Sequence, residues 1–340
     1  MSSLFTGAGV ALITPFTKDG QVNYKKLAEL IEFQIANKVD AIIAAGTTGE
    51  SATLTREERI EVIKFCIEVT NKRTMLIAGT GTNVTATAVE LTKKSYEYGA
   101  DAIMAVTPYY NKGNDSGLID YFTQIANAAK CPIIMYNVPS RTGVKLPISV
   151  IKKLSEVSNI EAIKEASGDI SYTADIASEV PNLDLYSGND DMVTPILALG
   201  GKGVISVTSN IVPKENHDMV MNYLNGNIKE AVKTQIHFID LIRAMFIEVN
   251  PVPIKYAMNI LGFEVGDCRS PLGPLRKKIK ILKGKYSISS FPIFREFFLD
   301  CPFLEYYLHT RSRLFFFIII PTFSPKTLEI TRKSRIFATE

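Results

Sequence analysis

Histidine and cysteine are scarce in this chain of 340 residues: three histidines, His217, His237 and His309, and four cysteines, Cys66, Cys131, Cys268 and Cys301, stand far apart. No CxxC pair, no dense disulfide spacing and no His/Cys/Asp cluster at metal-ligand intervals occurs. A zinc site and a histidine-based triad are therefore not expected, and the thiols are expected to be reduced, as in cytosolic proteins. Long apolar runs are missing too. The longest, Leu314 to Ile320, is far shorter than the roughly 20 residues a membrane-spanning helix needs. Nothing ahead of Gly7 reads as the charged and apolar regions of a signal peptide. The phosphate-binding GxxxxGK[ST] pattern and a strand-linked GxGxxG are likewise absent. Gly79-Thr80-Gly81 and Gly200-Gly201-Lys202-Gly203 read as ordinary tight turns. The expectation is a cytoplasmic protein without a metal or a membrane span.

Charge of one sign is concentrated at one end. Residues 276–340 hold 13 Lys/Arg against 5 Asp/Glu, so that segment carries +8 of a net +3, and the preceding 275 residues sum to −5. A mildly acidic body lacks the clustered cations of a nucleic-acid surface, and no nucleic-acid partner is expected. The same end holds 10 of the 18 phenylalanines, and Leu314 to Ile320 has the high β-propensity and zero charge of an aggregation-prone segment.

What is present is alternation. Apolar runs at Val10–Ile13, Ala41–Ala45, Met75–Ala78, Ala102–Val106, Ile133–Tyr136, Ala162–Lys164, Leu183–Tyr186 and Val204–Val207 make eight candidate strands. They are nearly continuous in hydrophobicity, as parallel strands buried on both faces are. Helical patterns lie between them at Tyr24–Asn37, Ala86–Tyr98, Gly117–Ala129 and Pro147–Ser155. One more opens on Thr55 and Glu58, a capping-box pair, ahead of Ile60, Ile63 and Ile67. Eight strand-helix repeats predict an α/β fold, a closed TIM (β/α)8 barrel, followed by a small C-terminal helical domain. That domain would comprise a long helix over Ile228–Val249 and another over Val252–Leu261, stopped by Gly262. The expected organisation is a catalytic barrel over 1–224, a helical domain over 225–283 and an atypical tail over 284–340, read as disordered or as a frame-shifted end.

Several residues carry chemistry at the C-terminal ends of predicted strands, where barrel enzymes keep their active sites. Lys164 ends the run Ile160-Glu161-Ala162-Ile163-Lys164. A lysine in a low-dielectric mouth loses its charge readily, and the neutral amine attacks ketones to form a Schiff base. The position also suits a solvated strand-end lysine. Tyr136 closes the fifth strand in Tyr136-Asn137-Val138-Pro139-Ser140-Arg141-Thr142-Gly143. Its phenol can shuttle a proton or simply cap the core. Arg141 has a fork suited to a substrate carboxylate, although taken alone it reads as a surface arginine. In Gly46-Thr47-Thr48-Gly49-Glu50-Ser51 the glycines let backbone amides approach an anion.

Together these segments, with Thr107-Pro108-Tyr109-Tyr110-Asn111, Ile163-Lys164-Glu165-Ala166-Ser167-Gly168-Asp169, Gly203-Val204-Ile205-Ser206-Val207 and Arg269-Ser270-Pro271-Leu272-Gly273-Pro274-Leu275, resemble the dihydrodipicolinate synthase family over roughly residues 4–275. The resemblance implies a Schiff-base aldolase that condenses pyruvate with L-aspartate 4-semialdehyde in lysine and diaminopimelate biosynthesis, with no cofactor. It implies that Lys164 forms the imine. Tyr136, Thr47 and Tyr110 would relay protons, Tyr110 reaching into a neighbouring subunit of a homotetramer built as a dimer of dimers. Thr47 and Thr48 amides would hold the pyruvate carboxylate and Arg141 that of the aldehyde, while the Gly188 and Ile205 backbones line the pocket. Ser51, Ala52, Asn83 and Tyr109 match an effector site for lysine. Arg56, Arg59 and Thr87 stand where lysine-inhibited relatives have histidine and glutamate, so lysine inhibition is expected to be weak or absent. N-acetylneuraminate lyase and keto-deoxy-sugar aldolases share this resemblance, and a non-catalytic binding barrel is the alternative from another class.

Overall fold

The computed structural model describes residues 3–276. Eight parallel strands, β1 (Gly7–Ala11), β2 (Ala41–Ala44), β3 (Met75–Gly79), β4 (Ala102–Val106), β5 (Ile133–Asn137), β6 (Ile160–Glu165), β7 (Asp184–Ser187) and β8 (Gly203–Ser206), close into a barrel in chain order. Helices α1 (Tyr24–Ala36), α2 (Arg56–Thr70), α3 (Thr85–Tyr98) and α4 (Asp115–Asn127) follow the first four strands. The short α5 (Pro139–Thr142) and α6 (Ile148–Leu154), α7 (Ile170–Glu179), α8 (Val193–Ala198) and α9 (Pro213–Leu224) complete the outer ring. Three further helices, α10 (Ile228–His237), α11 (Ile239–Met245) and α12 (Val252–Ile260), come after it. All of these belong to one compact unit ending at Lys277.

The strands are mostly apolar, with polar residues chiefly at their ends, because one side chain in two fills the barrel and the next packs under a helix. Ala41, Ile43, Ile77, Met104, Ile134, Ala162 and Ile205 fill the interior. Each fully buried isoleucine contributes about 1.5–3 kcal/mol. Phe5 and Tyr186 stack at 4.2 Å, and the Tyr186 hydroxyl donates to the Phe5 carbonyl at 2.6 Å while accepting from the Phe5 amide at 2.9 Å. That pair ties the chain ahead of β1 to β7. Closure itself depends on glycine: a Cβ on Gly203 would lie 1.9 Å from the Gly7 carbonyl across the β1–β8 seam.

The Thr55–Glu58 capping box is formed in full and starts α2. Strand bounds shift by up to three residues, most at the first strand, which begins at Gly7 rather than Val10 because Gly7 and Gly9 carry no apolar signal. Pro147 is the N-cap of α6, one residue before the first turn.

The single helix expected over Ile228–Val249 is not formed. It breaks at Phe238 into α10 and α11, and Phe246–Val249 leaves the helix altogether. The α10 stripe Ile228, Val232 and Ile236 is partly exposed, whereas Leu241, Ile242, Ala244 and Met245 are buried. The break lets the second half turn its apolar residues inward. The tail expected over 284–340, with the run Leu314–Ile320, Cys301 and His309, lies outside the described residues.

Candidate active site

Strand register brings the key groups to one level of the mouth. Lys164 on β6 pairs with Tyr136 on β5 and Tyr186 on β7, and its Nζ lies 4.3 Å from the centre of the Tyr136 ring. Lys164 is 5% exposed. Burial pulls its pKa down to about 7, against the opposing pull of the Asp190 charge and with a smaller contribution from the Arg141 charge. Near neutral pH a substantial fraction of this amine is thus uncharged, as a nucleophile requires. Burial raises the Tyr136 phenol, and the Arg141 charge and the Thr47 side chain draw it back down.

Two loops supply room and an anion cradle. Gly188, just past β7, donates to the Glu165 carbonyl at 2.6 Å, and a Cβ there would sit 2.6 Å from Ala166 Cβ and 3.1 Å from Lys164 Cε. Only glycine leaves the lysine free to swing. After β2 the chain reverses, with Glu50 N donating to the Thr47 carbonyl and Ser51 N to the Gly46 carbonyl. The Thr47 and Thr48 amides donate to no acceptor among the described residues, which leaves paired N–H groups suited to a carboxylate.

The turn is anchored from far away. Glu50, at φ 57, has its carboxylate buried against Lys255 of α12, whose Nζ donates to Glu50 Oε1 at 2.8 Å and to the carbonyls of Thr14 and Asp267. The other oxygen accepts from Arg269 N at 2.9 Å, and the Arg269 guanidinium pairs with Glu58 of the capping box. Asn250, ahead of α12, donates through Nδ2 to Thr48 Oγ1 at 2.9 Å, and its carbonyl accepts from Arg141 Nη2 at 3.1 Å.

Of the residues expected from sequence, Lys164, Tyr136, Thr47, Thr48, Arg141 and Gly188 thus gather at the mouth. Ile205 is buried on β8, paired with Gly9 of β1. Tyr110 is not joined to them within this chain: it stands 90% exposed at φ 73. Ser51, Asn83 and Tyr109 are half-buried and Ala52 is exposed. Sequence reasoning missed Asn250, Lys255 and Asp190, whose Oδ2 accepts from the amides of Val207 and Thr208 at 3.0 and 3.2 Å. The helical pattern over Val252–Leu261 located α12 but not what Asn250, ahead of it, touches.

A closed barrel with a depressed lysine beside a buried phenol and a free amide pair is the site of a Schiff-base enzyme. The chain belongs to the dihydrodipicolinate synthetase family, whose profile matches residues 4–285. The match runs past Leu275, the end of the resemblance read from the sequence, and takes in the first basic residues after it. A 4-hydroxy-tetrahydrodipicolinate synthase of Brachyspira hyodysenteriae is 76% identical over 290 residues, covering 84% of this chain and 99% of that one. Solved dihydrodipicolinate synthases include that of Aquifex aeolicus, 42% identical with TM-score 0.78 over 80% of this chain and 93% of that one. Another, from Cyanidioschyzon merolae with lysine bound, is 40% identical with TM-score 0.79 over 81% and 95%. These likenesses favour the synthase reading over the sugar-acid lyase and binding-barrel alternatives. Among the described residues no helix is long and apolar enough to cross a membrane.

Proposed function

We propose that this chain condenses pyruvate with L-aspartate 4-semialdehyde to 4-hydroxy-tetrahydrodipicolinate in lysine and diaminopimelate biosynthesis. The observation that carries the reading is the Lys164 amine, buried and depressed to about 7, over the Tyr136 ring. The Thr47 and Thr48 amides hold the pyruvate carboxylate, and Nζ attacks the ketone carbon. Loss of water from the carbinolamine gives the imine, with Tyr136 and Thr47 passing the protons. The imine then draws electrons from the methyl C–H bond, and the departing proton leaves an enamine.

Arg141 holds the carboxylate of the second substrate while the enamine carbon bonds to its aldehyde carbon. The substrate's own amine next attacks the imine carbon, closing the ring and expelling Lys164 as free amine. Every proton and electron pair is supplied by the substrates and these side chains, so the sequence of steps calls for no cofactor. Gly188 and Ile205 line the pocket.

The exposed Tyr110 phenol suits a role in a neighbouring subunit's relay, within a homotetramer of two dimers in the cytoplasm. At the surface formed by Ser51, Ala52, Asn83 and Tyr109, the neighbouring Arg59 guanidinium opposes a lysine ammonium, so feedback by lysine is weak or absent. A coupled assay tests the activity: turnover of pyruvate with L-aspartate 4-semialdehyde is expected, and cleavage of sialic acid in its place would overturn the reading.

A further inference from the structure

Asn250 joins the two loops that receive the two substrates. Its Nδ2 donates to Thr48 Oγ1, beside the β2 amide pair, and its main-chain carbonyl takes Arg141 Nη2 from α5. The other polar atom of its side chain, Oδ1, is buried and has no hydrogen-bond partner among the described residues. Leaving an amide oxygen dry and unpaired costs about 1–3 kcal/mol, and such atoms in a native structure call for a reason.

The second substrate has an ammonium and a carboxylate on the same carbon. If Arg141 takes the carboxylate, the ammonium needs an acceptor close to that guanidinium, and the residue whose carbonyl fixes Arg141 carries one without a donor. The chemistry of the acceptor also matters. The substrate nitrogen must lose its proton before it can close the ring, and a carboxylate partner would stabilise the charged form. A neutral amide orients the nitrogen with a weaker hold on that proton.

We propose that Asn250 is a specificity-determining residue, its Oδ1 accepting a hydrogen bond from the α-ammonium of the amino aldehyde. The proposal rests on the activity assigned above. Its test compares KM for L-aspartate 4-semialdehyde with the inhibition constant of 4-oxobutanoate, the same aldehyde acid without the amine, in wild type, Asn250→Ala and Asn250→Asp. Asn250→Ala is expected to raise KM for the amino aldehyde roughly 10–100-fold, the scale for an unmet polar group, while the inhibition constant changes by less than about threefold. Asn250→Asp keeps the acceptor and is expected to restore that KM to within a few-fold, with slower turnover.

Equal changes for both aldehydes would reduce Asn250 to a positioning residue for Thr48 and Arg141 and overturn the proposal, as would no change in either. Wild-type protein that fails to form a reducible adduct with pyruvate would instead sink the assigned activity.

Discussion

Lys164 Nζ and the Tyr136 ring face each other at 4.3 Å from neighbouring strands whose Cα atoms are in register. The phenol is thus held against the amine by two strands rather than by a loop. Both groups are buried, and burial moves each toward its neutral form: the lysine down to about 7 and the tyrosine upward. An uncharged pair suits a step that begins with amine attack and ends with proton transfer.

The pH dependence follows from that shift. Below about 7 the amine gains its proton and loses its nucleophilicity, so kcat/KM for pyruvate is expected to fall about tenfold per pH unit on the acid side. Above that value the profile is expected to level off until other groups titrate. An ordinary lysine near 10.5 would instead give a rate still climbing at pH 9, which an initial-rate pH series distinguishes.

Gly188→Ala places a methyl group 3.1 Å from Lys164 Cε and 2.6 Å from Ala166 Cβ. Lys164 must then shift, and displacing a reacting group by about 1 Å costs roughly 100-fold in rate. Stopped-flow or steady-state kcat should drop on that scale, while circular dichroism retains the barrel. Wild-type turnover in this variant would show that the lysine needs no such room.

Lys255→Met leaves Glu50 buried without its cation, and side-chain exposures of 2% and 0% make this an interior pair. Removing one partner of such a pair costs about 3–5 kcal/mol. Urea unfolding should show a loss of that order, and KM for pyruvate should rise because Glu50 shapes the turn carrying Thr47 and Thr48. The double variant Glu50→Gln with Lys255→Met should recover part of the stability.

Lysine is expected to inhibit weakly or not at all. Arg59 is buried, its guanidinium donating to the carbonyls of Gly79 and Gly81 at 2.6–3.1 Å. Burial lowers its pKa only to about 10, so it stays charged at neutral pH, close enough to feel Tyr109. It has no carboxylate partner among the described residues. A second cation brought there is repelled. An inhibition curve with L-lysine should stay flat or fall only slightly, whereas strong inhibition at micromolar concentrations would contradict this role of Arg59.

The barrel was legible because each parallel strand is apolar on both faces and each helix repeats its apolar residues at a different period. Lys164 stood out as a charge at the end of such a run. Local pattern does not register a bond such as that between Glu50 and Lys255, 205 positions apart, or that between Asn250 and Thr48, 202 apart. Nor does it show a helix break at Phe238, since both halves of Ile228–Val249 carry helical periodicity and only their packing against different surfaces separates them.

The measurement closest to the centre of this account is borohydride reduction of the protein in the presence of pyruvate, followed by peptide mass mapping. A stable pyruvate-derived adduct on the peptide containing Lys164, absent from Lys164→Ala, is the predicted result. An unmodified Lys164, or an adduct that persists in the alanine variant, would contradict it.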